Sequence, residues 1–522
     1  MKSNYFLFLL YLLFISALQG QTVNKQQDKP NVLVIMCDQL NAKALSCYGG
    51  PVSTPNIDRI ASEGVRLTNA YSTTPFCSPS RASIVTGLYP HQHGVVHNLG
   101  FKQKEGITIK DETTGKLLNN EGYKTHQFGK WHIESDSLNY LPYYTDQYDY
   151  GYQYKKEMEE KGLTVFKDDG QDWMNFYNQF WPVEVSPYMK EKRDYLEDLW
   201  ADHVHRDFPI KMGRLRLNQE DWIDDKLANL TVDRIRRAVS NEDPFMITTS
   251  FIWPHDPNFV PDPYYDLFNP DSLNMPSTRI PDKKFDNSWS RRMVKGYGDE
   301  GLKEFMRIYY GAVKYLDDRV GKILEELENQ GVLDETLINF TSDHGDMMGG
   351  HGMVWKVNES FYEEQAAIPF IIRYPDLLKP AVSSIPVSLV DMKSTILSVT
   401  KTKFEQDVAG VDLIPFLTGE KDMSLAPKYS FCERIKPNSN GSREILEDSK
   451  GSFMVRNEQY KLIIYHDGDS FFYDLKNDPN ETKNIINNKS YKNQILEIET
   501  ALQDWLEDTN WKGEKVSYKY LL

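Results

Sequence analysis

The sequence predicts an α/β fold: a large domain built on a mostly parallel central sheet sandwiched by helices, followed by a smaller C-terminal α+β domain. Three observations carry that prediction. Short apolar runs recur and end in polar clusters: 31–36 (NVLVIM) before Asp38, 246–251 before His255, and 337–340 before Asp343, with 370–374 (FIIRY) as a further run. Between them lie stretches such as 225–239 and 305–330, where apolar residues return every three or four positions, the period of a helix with one buried face. After about Ser424 the pattern changes to short strands and one amphipathic helix. Alternating strands and helices imply parallel pairing, because parallel strands need a crossover and their sheet is covered on both faces. A chain of 522 residues is also longer than one hydrophobic core usually organises, so a large and a small domain are expected.

Taken in order, Met1 and Lys2 precede an apolar run at 5–18 (YFLFLLYLLFISAL), and Gly20 and Gln21 follow it. This reads as a secretory signal peptide over 1–20, its apolar part too short for a membrane span. No cysteine follows the run, so lipidation is not indicated, and the mature chain is expected to be exported, periplasmic or secreted, without a stable membrane span. The large domain is assigned to 28–423. Within it the strand and helix pattern lapses over about 136–219, a stretch rich in charge and aromatics, including Tyr140, Tyr143, Tyr144, Tyr148, Tyr150, Trp173 and Trp181. A loop of that length is uncommon unless it is functional, so it reads as an insertion at a pocket rim, its aromatics packing within the insertion or stacking on sugar rings. The small domain, 424–522, has strands at 452–456, 460–465 and 470–474, then a helix over 492–505 with Ile495, Ile498, Leu502 and Trp505 on one face.

Lys and Arg total 60 against 76 Asp and Glu, a net charge of −16, which argues against a general polyanion-binding surface and against nucleic acid as a partner. An anionic substrate must then meet a local basic pocket. The four cysteines, Cys37, Cys47, Cys77 and Cys432, are too few and too irregularly spaced for a disulfide scaffold and lack zinc-type pairs. Cys37 lies in an apolar strand and reads as core. Cys77 lies in a polar, proline- and serine-rich segment.

In parallel sheets, functional groups gather beyond the carboxyl ends of the strands, where the polar clusters fall, so the clusters are expected to converge on one site. Asp38-Gln39 and Asp343-His344-Gly345-Asp346 offer several oxygens and one imidazole, a set that suits Ca²⁺ or Mg²⁺ better than zinc. An aspartate at a strand end is also an ordinary turn residue, so the case rests on the clusters together. The segment from Thr73 through Cys77-Ser78-Pro79-Ser80-Arg81 to Thr86-Gly87 reads as a loop entering a helix near Pro79 or Ser80, where proline is tolerated and exposed amides favour an anion. On its own it supports no more than a thiol at a helix start.

The Cys-x-Pro-Ser-Arg run followed by Thr-Gly resembles the signature of the type I, formylglycine-dependent sulfatases of the alkaline phosphatase-like superfamily. Other motifs of that family recur in the same order. Residues 30–39 resemble its opening metal strand, and Thr54-Pro55-Asn56-Ile57-Asp58 the segment after it. Gly129-Lys130-Trp131-His132, Pro254-His255, Ser342-Asp343-His344-Gly345-Asp346 and Lys356 before Tyr362-Glu363 resemble its later active-site elements, and Tyr473-Asp474-Leu475 through Asp478-Pro479 its C-terminal signature. The chain departs from many sulfatases at Gln39, where they have Asp, and at His344, where they have Asn.

The resemblance implies an alkaline phosphatase-like large domain and hydrolysis of a sulfate ester. It implies that a formylglycine-generating or anaerobic sulfatase-maturating enzyme oxidises Cys77 to formylglycine (3-oxoalanine), whose hydrate supplies one hydroxyl to attack sulfur and another to expel sulfate. It places the metal on Asp38, Gln39, the converted Cys77, Asp343 and His344. Arg81 then orients the formylglycine, Lys130 and Lys356 bear on the sulfate oxygens, His132 is the base that releases sulfate, and His255 is the acid for the leaving alcohol. His91, His93 and His97 have no such support, although His97 is near enough in sequence to line the pocket. The substrate expected is a sulfated oligosaccharide or polysaccharide, with ulvan and carrageenan as examples; aryl sulfates, glycosaminoglycans and choline sulfate stay open. The competing readings are a phosphodiesterase or phosphonate monoester hydrolase of the same superfamily, and a sulfated-glycan binding protein without catalysis. Relatives of the first kind that lack formylglycine use Ser or Thr at the nucleophile, so Cys-x-Pro-Ser-Arg favours sulfate, and the second would have lost the lysines or metal carboxylates.

Overall fold

A computed structural model describes residues 29–134 apart from 101, the short stretches 146–148, 183–187 and 190–191, and residues 212–518 apart from 257, 280–282, 286–287, 405–407 and 517. Its largest sheet has eight strands: β1 (Asn31–Asp38), β2 (Val65–Leu67), β3 (Lys124–Gly129), β4 (Asp146–Tyr148), β5 (Phe245–Pro254), β6 (Thr336–Ser342), β7 (Phe370–Arg373) and β8 (Ala381–Ser383). They lie in the order β8-β2-β7-β6-β1-β5-β3-β4. Pairing is parallel throughout except where β7 meets β6 and β2, so the run 370–374 is an antiparallel strand within a mostly parallel sheet.

The central strand β1 is buried along its whole length, as its unbroken apolar sequence requires. Leu33, Ile35 and Cys37 face one helical layer, formed by α1 (Pro55–Glu63), α3 (Ile223–Ser240) and α4 (Trp289–Asn329). Val32, Val34 and Met36 face the other, which includes α2 (Cys77–Thr86) and α5 (Asp391–Val399). This period of two puts a core on each side of one strand. Helix α4 begins well before the expected 305, because Gly298, at φ +61°, joins two helical segments across a break that obscures the periodicity.

The expected insertion at 136–219 lies mostly outside the described residues, together with Tyr140, Tyr143, Tyr144, Tyr150, Trp173 and Trp181; Tyr148 belongs to β4 at the sheet edge. The proposed signal peptide also lies outside them. No helix among the described residues is long and apolar enough to cross a membrane.

The C-terminal part is a four-stranded antiparallel meander, β9 (Ser430–Ile435), β10 (Gly451–Arg456), β11 (Tyr460–Ile464) and β12 (Ser470–Asp474), followed by α6 (Lys492–Asp508). One face of the sheet packs on Ile495, Ile498, Leu502 and Trp505 of α6, the residues that the helical period singles out. The other face, with Cys432, Met454, Ile463 and Tyr473, packs on Met347, Phe361 and Tyr362 of the large domain. Buried charges pin the joint. Glu433 accepts from the His91 amide at 2.7 Å and from His91 Nδ1 at 2.8 Å, and Lys461 bridges Glu363 (2.8 Å) and Glu481 (2.7 Å). The Lys461 pairs are strongly destabilising to break, because the survivor is an uncompensated buried charge.

Candidate active site

Strands β6, β1, β5 and β3 are consecutive parallel neighbours, so their carboxyl ends share one edge of the sheet. Asp38 ends β1, Lys130 follows β3, His255 follows β5 and Asp343 follows β6. Lys130 can leave the sheet there because Gly129 adopts φ +93°, and a Cβ at that position would stand 2.0 Å from the Ser250 carbonyl oxygen. Gln39 also turns through a left-handed conformation, φ +65°. The Tyr309 hydroxyl holds that turn, donating to the Gln39 carbonyl at 2.6 Å and accepting from the Asn41 amide at 2.8 Å. Such backbone costs a non-glycine residue about 1–2 kcal/mol and persists where its surroundings fix it.

Cys77 is the first residue of α2, which therefore starts two residues ahead of the expected Pro79. Pro79 is still within the first turn, where a missing N–H leaves no helical bond unmade. The Asn98 side-chain oxygen accepts from the Ser78 amide at 3.1 Å, satisfying another first-turn donor. The Cys77 side chain points among the strand ends, with Sγ 3.2 Å from His344 Nε2 and 3.8 Å from Asp38 Oδ1. Burial pushes the thiol pKa up, but Lys130, Lys356 and His344 outweigh it and hold the value well below that of an ordinary cysteine.

Arg81, one turn further along α2, ties the edge together. Its guanidinium donates to Asp343 at 2.8 Å, Asp38 at 3.1 Å, the Lys130 carbonyl at 2.7 Å and the Ser250 hydroxyl at 2.8 Å. Lys130 Nζ also donates to Asp38. Burial opposes ionisation of Asp38 and so does the Cys77 sulfur, yet Lys130, His255 and Arg81 hold its carboxyl well below the usual range. Ser72 and Ser80 both donate to the Asp343 carbonyl, at 2.7 and 2.6 Å.

Asp38, Cys77, Asp343 and His344 offer ligand atoms that all lie within 4.8 Å of one another, every residue buried. The Gly345 carbonyl takes up His344 Nδ1 at 2.9 Å, which directs Nε2 toward the cluster, the arrangement usual behind a metal-bound imidazole. Burial disfavours the imidazolium, but Asp343 and Cys77 raise the His344 pKa to about 9. The field that draws a proton there is one that attracts a cation, so the donor set fits a divalent metal. Gln39 borders the cluster through its amide N–H, 3.1 Å from Asp343 Oδ1. Its side chain spans two other groups: Nε2 donates to Asp346 at 2.6 Å, and Oε1 accepts from Lys356 Nζ at 3.1 Å. Burial raises the Asp346 carboxyl to about 6.

His132 lies beside Cys77, where each affects the other's pKa, and the Leu99 carbonyl lies 3.3 Å from its Nε2. Burial lowers the His132 pKa, which favours the neutral ring. His255 Nδ1 lies 2.6 Å from the Asp256 carbonyl and 3.3 Å from the Asp256 carboxylate, and its Nε2 is 2.5 Å from Lys356 Nζ.

A family model described as sulfatase matches residues 30–402. The chain belongs to the sulfatase family. It is accordingly a sulfuric ester hydrolase, and a second model, described as N-sulphoglucosamine sulphohydrolase, C-terminal, matches residues 349–508. Among sulfatases, the chain is 28% identical to an N-acetylglucosamine-6-O-sulfatase of Bacteroides thetaiotaomicron, over 97% of this chain and 91% of that one. It is 25% identical to an ulvan-active sulfatase of Formosa agariphila, over 92% and 82%. A solved phosphonate monoester hydrolase from Silicibacter pomeroyi shares the fold, with a TM-score of 0.73 at 21% identity over 92% of this chain and 96% of that one.

The fold joins every site residue expected from the sulfatase resemblance, Asp38, Gln39, Cys77, Arg81, Lys130, His132, His255, Asp343, His344 and Lys356, through direct contacts. His91 and His93 stand apart, His91 at the domain joint and His93 bonded within the fold to Ser83 and Val95. His97 reaches the site's margin, its ring 5.2 Å from Phe76. Sequence reasoning gave no role to Asn98 or Ser250, and placed Asp346 only within the strand-end donor cluster without assigning it as a ligand. The one available signal was the placement of Ser250 and Asp346 inside or beside the strand-end clusters.

Proposed function

We propose that this sulfatase removes sulfate from a sulfated carbohydrate after export to the periplasm or the exterior, with Cys77 converted to formylglycine and Ca²⁺ or Mg²⁺ held by Asp38, Asp343 and His344 beside Gln39. The observation that carries the reading is Cys77 in the first turn of a buried helix, among metal-type donors and within the field of Lys130 and Lys356. The carbohydrate is supported by relatives named for N-acetylglucosamine 6-O-sulfate and ulvan hydrolysis, and ulvan is one member of the class this chain would attack.

Sulfate ester cleavage places developing charge on a non-bridging oxygen, on the nucleophile and on the leaving alcohol. When converted and hydrated, position 77 supplies two hydroxyls on one carbon, one to attack sulfur and one to expel sulfate. A bound divalent cation supplies Lewis acidity toward the sulfate oxygens and the attacking hydroxyl. The chain's own groups do the rest. Arg81 fixes Asp38 and Asp343 relative to α2, so the donors and position 77 keep one geometry. Lys130 and Lys356 flank the site as compact cations for sulfate oxygens, in a water-poor setting where such charges act strongly. His132 accepts the proton whose loss releases sulfate. His255 passes a proton to the leaving oxygen through Nε2, which accepts from Lys356 Nζ at 2.5 Å and draws that proton from the ammonium, while Asp256 orients the ring through Nδ1.

The test is sulfate release from sulfated saccharides by matured enzyme, with mass spectrometry of the peptide containing Cys77. Cys77→Ala is expected to abolish turnover. Retained turnover in that variant, or an unmodified thiol in active enzyme, would sink the mechanism. Faster turnover of phosphonate monoesters or phosphodiesters than of any sulfate ester would overturn the substrate assignment.

A further inference from the structure

Beside the reacting position lies a cavity of about 470 Å³, within the range of pockets that accept small ligands. Phe76, the residue before Cys77, forms part of its wall together with His97, and the C-terminal part of the chain contributes Arg434 and Lys436. Lys102 and Glu359 complete the charged lining. The cavity thus reaches the residue that precedes the nucleophile and spans both parts of the chain.

Arg434 is the anomaly in this cavity. It is 3% exposed, and its guanidinium lies 4.3 Å from the centre of the Phe76 ring. Its hydrogen bonds go to neutral acceptors: the Asn358 side chain at 2.9 Å, the Val96 carbonyl, and the Ile435 carbonyl at 3.3 Å. Among the described residues, no carboxylate forms an ion pair with it. Glu359, the acid whose charge reaches it, is already engaged by His466 Nδ1 at 3.1 Å and the Ser452 hydroxyl at 3.4 Å. Burial lowers the Arg434 pKa to about 10. Arg81, equally buried, is by contrast matched by two carboxylates. A buried cation without a counter-ion is costly, and a ligand anion is the missing partner that would offset the cost. Lys102 and Lys436 place two more positive charges at the exposed rim, so a chain of net charge −16 reverses sign locally at this cavity.

We propose that the cavity is a second anion subsite. It takes a charged substituent, a sulfate ester or a carboxylate, on the same glycan that presents the scissile sulfate, with Arg434 as the anchor. The inference rests on the carbohydrate sulfatase reading above and narrows it: the preferred substrate carries at least two anionic groups. Asn358, Val96 and Ile435 occupy Nε and Nη1 of Arg434, which leaves the Nη2 hydrogens as the charged donors for either anion.

The test compares kcat/KM of matured enzyme on substrate pairs: a monosulfated hexose against the same hexose with a second sulfate, and against a disaccharide that adds a uronate. Wild-type enzyme is expected to favour one dianionic member by about 10- to 100-fold, the usual worth of a hydrogen-bonded charge, and the favoured pair tells sulfate from carboxylate. Arg434→Gln is expected to erase most of that preference, mainly through KM, because the contact is made in ground and transition states alike. A Lys102→Gln/Lys436→Gln double variant, both positions exposed, reads the same preference should Arg434→Gln not fold, with an expected loss of a few-fold that high salt mimics. Equal kcat/KM across every pair in wild type, or an unchanged preference in both variants, would overturn the subsite. Absence of sulfate release from every member would overturn the function proposed above, and this subsite with it.

Discussion

Replacing Arg81 by methionine keeps an apolar stem of similar length and removes every donor of the guanidinium. The bonds lost include those to Asp343 at 2.8 Å and Asp38 at 3.1 Å, between side chains at most 2% exposed. Charge-assisted hydrogen bonds contribute about 1.5–3 kcal/mol each, so the two together amount to about 3–6 kcal/mol. That sum agrees with the about 3–5 kcal/mol usual for breaking a buried ion pair. A divalent cation on Asp38, Asp343 and His344 would replace part of the missing charge. The loss should therefore fall at the upper end of the range in chelated protein and at the lower end in metal-loaded protein. Urea unfolding of wild type and Arg81→Met, each with chelator and with excess Ca²⁺, measures both numbers. Arg81→Lys should recover only part of the loss, since one ammonium cannot span two carboxylates, a carbonyl and a hydroxyl. A chelated Arg81→Met protein that unfolds at the wild-type midpoint would refute the reasoning.

Further predictions concern acid, the domain joint and the metal. His93 is held neutral, with Nδ1 accepting from the Val95 amide at 3.0 Å and Nε2 3.1 Å from the Ser83 hydroxyl; burial, with Arg443 nearby, lowers its pKa from 6.5 to about 3. The unfolded chain takes up this proton near pH 6.5 and the folded chain only near pH 3, so its contribution is complete above pH 6.5 and is lost as pH falls toward 3. His93→Gln should flatten the acid side of a stability profile, and an equally steep profile would count against the assignment. Glu433→Ala should cost about 3–6 kcal/mol in denaturant unfolding, because the His91 amide and Nδ1 lose two hydrogen bonds to a charged group worth about 1.5–3 kcal/mol each; a change below about 1 kcal/mol would show that the joint does not depend on it. Chelation should lower sulfate release and Asp343→Ala should weaken metal occupancy by elemental analysis, whereas full activity in demonstrably metal-free protein would contradict the metal role.

The parts of this fold that the sequence revealed are those with strong local signals. Strands β1, β5 and β6 are apolar runs that end in acids or histidine, and α6 shows one clear apolar face. Strands β2 and β8, at three residues each, are too short to show a period, and β3 (KTHQFG) is polar in sequence although buried over most of its length. Nor does a run such as 370–374 reveal its direction, because apolar content is the same in either sense. The site was legible through motif residues. Its supports were not, because Asn98, Ser250 and Arg434 are chosen by partners distant in the chain that only the fold brings near.

Strand β9 alternates its faces as any strand must. Phe431 stacks on Trp505 with ring centroids 4.7 Å apart, and Glu433 turns to His91, while Cys432 and Arg434 point the other way, toward the large domain and the cavity. Six successive residues thus carry both an assembly face and a ligand-reading face. A chimera joined just ahead of Ser430 would exchange the two as one cassette, so transplanting this segment between relatives should move selectivity and domain docking together, and mismatched grafts should fail at the His91 contact before they reveal any new preference.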